Sequence, residues 1–141
     1  MKPQRISSFN KNKIIAIVDD NDHNLKAIEM TLESEEFNNF HSFASGEEFL
    51  VYLEKGGKVD LVLMDSVMKG ISGLETIKQM YEMNDKYNHV EVIIHTAYPE
   101  HINKIKSLKQ GVCYYLEKPF DVNELILQIE IIFTRLDKIQ A

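Results

Sequence analysis

Residues 61–70 read LVLMDSVMKG: four apolar residues run straight into Asp65, and the chain then turns polar through Ser66 and Lys69 to Gly70. The Leu-Val-Leu-Met run is as long as a strand and lacks the polar alternation of a sheet with one wet face, so it predicts a strand covered on both sides. Such a strand belongs to a parallel sheet flanked by helices, and the remaining sequence supplies the other parts. Strands are predicted over residues 14–18, 39–43, 60–64, 90–95 and 113–116, the first, third and fourth being nearly continuous Ile, Val and Leu. Helical patterns separate them. Leu25, Ile28 and Leu32 form the first buried stripe, Ile102, Ile105 and Leu108 the fourth, and Leu125, Ile129, Ile132 and Leu136 the fifth. Ser45 with Glu48, Ser72 with Glu75 and Asp121 with Glu124 have capping-box spacing, and Gly56-Gly57 and Gly111 follow helices where a left-handed cap favours glycine. Five β-α units joined by right-handed crossovers predict an α/β, doubly wound five-stranded parallel sheet with helices on both faces.

The 141 residues, 44% hydrophobic and 27% charged, suit one globular domain, expected over 13–141. Residues 1–12 have no period and carry Lys2, Arg5 and Lys11, which predicts a flexible basic N-terminal tail. A net charge of -6 with scattered basic residues argues against direct nucleic-acid binding. No run approaches the roughly 18 apolar residues of a membrane span, and the first residues lack the apolar core of a secretory signal, so a cytoplasmic location is expected. The single cysteine, Cys113, reads as strand packing.

In doubly wound sheets function gathers at the carboxyl ends of the strands. Asp19 and Asp20 follow the first strand, Asp65 the third, Thr96 the fourth and Lys118 the fifth, all on one edge. Two like charges about 4 Å apart cost about 4 kcal/mol at an effective dielectric near 20, so three converging carboxylates call for a cation. Asp20 and Asp65 offer hard oxygen ligands for Mg2+, and Lys118 a further point charge. Metal, ammonium and hydroxyl together suit the spread charge of a phosphoryl group in transfer. Asp65 at the centre is then the candidate nucleophile, forming an aspartyl phosphate. With no GxxxxGK[ST] loop, a nucleoside triphosphate is not expected as direct donor.

Four motifs, IVDDND (17–22), LVLMD (61–65) with Gly73 eight residues on, IIHTAY (93–98) and YYLEKPF (114–120), occur in this order. Together they make residues 13–138 resemble the receiver domain of two-component response regulators, a flavodoxin-like fold with strand order 2-1-3-4-5. The resemblance implies that Asp65 accepts a phosphoryl group from a sensor histidine kinase or a histidine phosphotransfer protein. It implies that Asp20, Asp65 and the backbone carbonyl of Val67 hold Mg2+, with Asp19 acting through water. Thr96 and Lys118 would engage the phosphoryl group, Tyr115 would be the switch aromatic, and Lys118-Pro119 would be cis. The fourth helix, fifth strand and fifth helix would form the face that meets a downstream protein.

The sequence departs from the family pattern where Lys69 and Gly70 stand in place of the usual proline and its neighbour, which predicts a looser loop. Val67 and Tyr98 occupy positions that in the family tune water's access to the phosphoaspartate, and here they predict slow self-dephosphorylation. The histidines at 23, 41, 89, 95 and 101 show no zinc-ligand spacing, and His95 is expected on the opposite face of its strand from Thr96. His101, Lys104, Lys106 and Lys109 read as a solvated face or a surface for an acidic partner, and Leu127 and Ile131 as a surface for a homodimer or another partner. Two other readings stay open: a Mg2+-dependent phosphohydrolase with Asp65 as nucleophile, and a flavodoxin-like cofactor binder, which the acidic loop after the first strand disfavours. The sequence leaves undecided whether the receiver stands alone or belongs to a longer chain.

Overall fold

A computed structural model describes residues 11–100, 103 and 114–140. Five parallel strands, β1 (Ile15–Val18), β2 (Phe40–Phe43), β3 (Leu61–Asp65), β4 (Glu91–Thr96) and β5 (Tyr114–Glu117), form one sheet ordered β2-β1-β3-β4-β5. Helices α1 (Asp22–Ser34), α2 (Gly46–Glu54), α3 (Gly73–Met83) and α4 (Val122–Gln140) surround it. The C-terminal helix α4 is the fifth of the helical patterns in the sequence. The fourth pattern, with Ile102, Ile105, Leu108 and the basic group at 101–109, lies outside the described residues, as do Gly111, Cys113 and residues 1–10 of the predicted tail. Lys11, near the end of that tail segment, donates to the Glu35 carbonyl at 3.0 Å and lies over the Phe37 ring.

Strand alternation divides the interior into two cores. Ile15, Ile17, Leu61, Leu63, Ile93 and Leu116 face α1 and α4, meeting Leu25, Ile28, Leu32, Ile129 and Ile132. Ala16, Val18, Val62, Met64, Val92 and Ile94 face α2 and α3, meeting Phe49, Leu53, Ile77 and Met80. Every residue of β1, β3 and β4 is buried, which is why their central stretches, Ile15–Val18, Leu61–Met64 and Val92–Ile94, read as apolar runs. Edge strand β2 exposes His41 and Ser42.

Strands β1 to β4 begin one residue later than the sequence predicts. Asp60 and Ile14 bond each other instead of entering the ladder: the Ile14 N–H donates to the Asp60 carboxylate at 2.7 Å, and the Asp60 N–H to the Ile14 carbonyl at 2.8 Å. At the opposite end the pairing runs on, so Asp65 and Thr96 are the last residues of their strands rather than the first of their loops. Ser45 and Ser72 accept from the N–H groups of Glu48 and Glu75 as expected, and Asp121 accepts from Asn123. Helix α1 is capped by Asn21, which accepts from Asn24 at 3.0 Å. A 3-10 turn at Asp85–Tyr87, absent from the sequence reading, buries Tyr87.

Gly73, the first residue of α3, passes so close to the end of β3 that a Cβ would lie 2.2 Å from the Asp65 carbonyl oxygen. Gly56, at φ +89°, has open space around it. Gly73→Ala is therefore expected to destabilise the chain by about 1–3 kcal/mol through overpacking. Gly56→Ala costs about 1–2 kcal/mol, from backbone conformation alone. Urea unfolding measures both losses, and NMR separates the two variants, because only Gly73→Ala also shifts the backbone amide resonances of residues 64–67.

Candidate functional site

Three buried side chains meet at the carboxyl edge of the sheet. Continuing the alternation one residue past Val18 puts Asp19 on the α1 and α4 face, and continuing it past Met64 and Ile94 puts Asp65 and His95 there too. Val18 is registered with Met64 and Asp65 with His95, so the three residues form one row across adjacent strands. Asp19 is fully buried, Asp65 5% exposed and His95 2% exposed. One ligand-type atom from each lies within 4.8 Å of those from the other two.

The row holds two carboxylates in a poorly hydrated place, and its hydrogen bonds go where the charge is. Asp19 accepts from the Asn21 N–H at 2.8 Å, and its other oxygen lies 3.1 Å from His95 Nε2. Lys118 Nζ reaches Asp65 Oδ1 at 3.1 Å from across the crevice. Its approach is fixed by the Lys118 N–H bond to the Thr96 carbonyl at 2.8 Å, and the following Lys118-Pro119 peptide is cis, as the resemblance implies. Burial pushes the Asp19 carboxyl up, but the bonds from His95 and Asn21 outweigh it and the net displacement is downward. At Asp65 burial comes first and the charge of Asp19 second, and the carboxyl is held above its ordinary value despite His95 and Lys118.

Asp20 is exposed and stands apart from this row: its carboxylate accepts the Lys69 N–H at 2.8 Å. That bond exists because residue 69 is not proline, which has no N–H to give. The loop behind Asp65 is thus tied where the sequence predicted looseness. The Ile71 N–H donates to Glu47 at 3.2 Å, and the Gly73 N–H to the Ser66 carbonyl at 3.1 Å. Gly70 makes the turn at φ +80°, where a side chain would strike the Glu47 carboxylate.

Thr96 is fully buried on the opposite face from His95, with its hydroxyl engaged on both sides. It lies 2.5 Å from the Ser66 hydroxyl, accepts the Tyr98 N–H at 2.9 Å, and is 3.3 Å from the Tyr98 carbonyl. Tyr115 is 41% exposed, and Val67 and Tyr98 are each about half exposed. Of the residues singled out in the sequence, Asp19, Asp65 and Lys118 come together directly. Thr96 comes to the same edge facing Ser66, and Asp20 is held by the loop. His95 and Ser66 were not foreseen as parts of the site. His95 does lie opposite Thr96 as expected, but that face ends on Asp19, which strand register would have revealed.

Residues 15–130 match the response regulator receiver domain family. The chain belongs to this family. It is 34% identical over 119 residues to the heme response regulator HssR of Staphylococcus epidermidis, covering 84% of this chain and 50% of that one. It is 32% identical over 128 residues to the chemotaxis protein CheY-3 of Vibrio cholerae, covering 91% of this chain and 97% of that one. The chain therefore spans half of the first relative and nearly all of the second. Among solved structures, the receiver domain of the Francisella response regulator 1452 matches the fold with a TM-score of 0.75 at 24% identity, covering 89% and 99% of the two chains. Response regulator TrrA of Thermotoga maritima, solved in complex with Mg2+-BeF, matches at 0.70 and 28% identity, covering 85% and 98%.

Receivers are signalling domains, and their acidic pocket binds Mg2+. The donor set here fits such an ion: two adjacent buried carboxylates supply hard oxygen, and Asp65 carries a carboxyl that burial and Asp19 leave under-compensated. Among the described residues no helix is long and apolar enough to cross a membrane.

The displacement of Asp65 has a measurable consequence. Its carboxyl ionises in the unfolded chain at a lower pH than in the folded one, so ionisation costs the fold stability. The loss sets in as pH rises through the ordinary value of 3.8 and is complete once pH exceeds the raised folded value. In chelator at pH 7, Asp65→Asn is expected to raise Tm by a few degrees, on the order of 1 kcal/mol for a chain of this size. The gain should vanish below pH 3.8. An Asn variant less stable than the parent at pH 7 would contradict this.

Proposed function

We propose that the chain is a phosphoryl-accepting switch of a two-component system. Asp65 Oδ attacks the phosphorus of a phosphohistidine on a sensor kinase or histidine phosphotransfer protein; the new P–O bond forms as the P–N bond breaks, and the departing imidazole nitrogen takes up a proton. The observation that carries this reading is Asp65 at the end of a fully buried strand, with Lys118 Nζ 3.1 Å from its oxygen. A nucleophile delivered by a rigid strand is already oriented for displacement at phosphorus. Lys118 is positioned to neutralise phosphoryl oxygens as they approach.

Asp20, Asp65 and the Val67 carbonyl are assigned to Mg2+, with Asp19 acting through water; when bound, the ion offsets the charge of the transferring group. After transfer, Thr96 turns its hydroxyl to a phosphoryl oxygen and Tyr115 moves inward. The face around β5 and α4, together with the segment before β5, then changes for a downstream protein. Exposed Leu127 and Ile131 on α4 supply apolar area to that face or to a homodimer. Residues 13–141 act as the receiver, with a basic tail before it, in the cytoplasm.

Incubation of the chain with acetyl phosphate and Mg2+ should add one phosphoryl mass, lost in Asp65→Asn. Intact mass spectrometry reads it, and absence of the adduct, or its persistence in the variant, would sink the reading. A phosphohydrolase would instead turn over a small phosphomonoester catalytically. A second expectation concerns persistence. In receivers these two positions tune water's access to the phosphoaspartate, and with half-exposed Val67 and Tyr98 there the adduct should last minutes or longer once acetyl phosphate is removed. Decay within seconds would refute that role for them.

A further inference from the structure

His95 gives this acidic site a nitrogen donor. Its ring is 2% exposed, and Nε2 lies 3.1 Å from Asp19 Oδ2, with an Asp65 oxygen completing a group spread over no more than 4.8 Å. Two donors about 2.0–2.1 Å from one tetrahedral ion stand about 3.3 Å apart, so His95 and Asp19 already have the spacing of ligands to a shared ion. Asp20, whose carboxylate accepts the Lys69 N–H, is not one of the three. A cavity of about 540 Å³, bordered by Asp19, Asn24, His95, Lys118 and Phe120, reaches the group from the α1 side and offers an ion a path in.

Mg2+ takes oxygen ligands in octahedral geometry and keeps several waters, whereas imidazole suits borderline first-row ions such as Zn2+ and Co2+. We infer that Asp19, Asp65 and His95 form a mixed nitrogen and oxygen site for a borderline divalent ion of the Zn2+ class, and that this ion inhibits phosphorylation by drawing Asp65 toward His95 and away from Lys118. In binding, the ion takes the place of the proton on Nε2, which leaves to solvent or moves to Nδ1. Asp19 and Asp65 bind as carboxylates, and Lys118 is displaced from Asp65 by the incoming charge. The receiver would thus respond to two inputs at one carboxylate: phosphoryl transfer with Mg2+, and blockade by a softer ion. The inhibitory half of the inference rests on the phosphoryl-acceptor reading above; the binding half does not.

The test titrates the full chain with Co2+ and follows visible d–d absorption, with Zn2+ as competitor and Mg2+ as reference. The variants are His95→Leu and His95→Gln, the second keeping a neutral donor for Asp19 should the first fail to fold; a CD melt verifies both. The unaltered chain should bind Co2+ far more tightly than Mg2+, with an absorption band that Zn2+ abolishes. Both variants should lose about tenfold or more in Co2+ affinity, well beyond any change in Mg2+ affinity. Zn2+ should suppress labelling by acetyl phosphate in the unaltered chain and not in His95→Gln. An unchanged Co2+ spectrum and affinity in both variants would mean adventitious binding at surface histidines and would overturn the site. Tight Co2+ binding with no effect of Zn2+ on labelling would overturn the inhibition. Absence of labelling with Mg2+ alone would overturn the acceptor reading and leave the Co2+ result to judge the site by itself.

Discussion

Burying Asp19 beside Asp65 is the constraint from which the site's arrangement follows. The two acids end neighbouring strands in the same row, and each is nearly removed from solvent. A like-charge pair in such a place costs several kcal/mol unless something opposes it. The neighbouring chain supplies opposition one group at a time: the Asn21 N–H and His95 for Asp19, and Lys118 for Asp65. The division is unequal. Asp19 ends with a carboxyl lowered by its bonds, Asp65 with one still raised by burial and by Asp19. The residue left short of compensation is the proposed acceptor, and a cation beside it would relieve what the fold leaves unbalanced.

The loop after Asp65 is fitted to that edge by backbone rather than by side chains. Gly73 brings α3 against the Asp65 carbonyl with no room for a Cβ, Gly70 turns the chain over Glu47, and the Lys69 N–H takes the Asp20 carboxylate. Each bond fixes one end of the segment that carries Ser66 and Val67. Replacing a ring-restrained residue by Lys69 therefore exchanges one form of restraint for another: a locked φ is lost, and a charge-assisted hydrogen bond to an acid of the site is gained. The second form depends on the state of Asp20, so the loop is coupled to whatever Asp20 binds.

Much of the architecture was legible because local rules and tertiary packing agree here. Buried strands wrote themselves as apolar runs, and Ser45 and Ser72 cap helices as their spacing predicts. Asp65 and Lys118 could be paired in advance because strand order brings their ends together. The errors arose where a residue's role depends on register or on backbone groups. His95 was correctly assigned a face but not a neighbour, since alternation says which side a residue points to and only register says that Asp19 and Asp65 share its row. The Lys69 contact was invisible because the sequence records that proline is missing, not what the freed N–H will find. Asn21 caps α1 with Asn24 rather than an acid three residues on, so capping-box spacing does not mark it.

Thr96 adds a threshold to the proposed switch. Its hydroxyl is met by the Ser66 hydroxyl, the Tyr98 N–H and the Tyr98 carbonyl, so little hydrogen-bonding capacity remains unused in this orientation. Turning toward Asp65 gives up these partners, at about 1 kcal/mol each for neutral bonds and more for any buried group left unmet. A carboxylate with Lys118 already on it offers too little in exchange. A phosphoryl oxygen offers a charge-assisted bond roughly twice as strong, and the tether to Ser66, the residue following the acceptor, means that loop and hydroxyl must move together. Two discrete arrangements, with few stable ones between them, follow from a hydroxyl whose bonds are exchanged as a set.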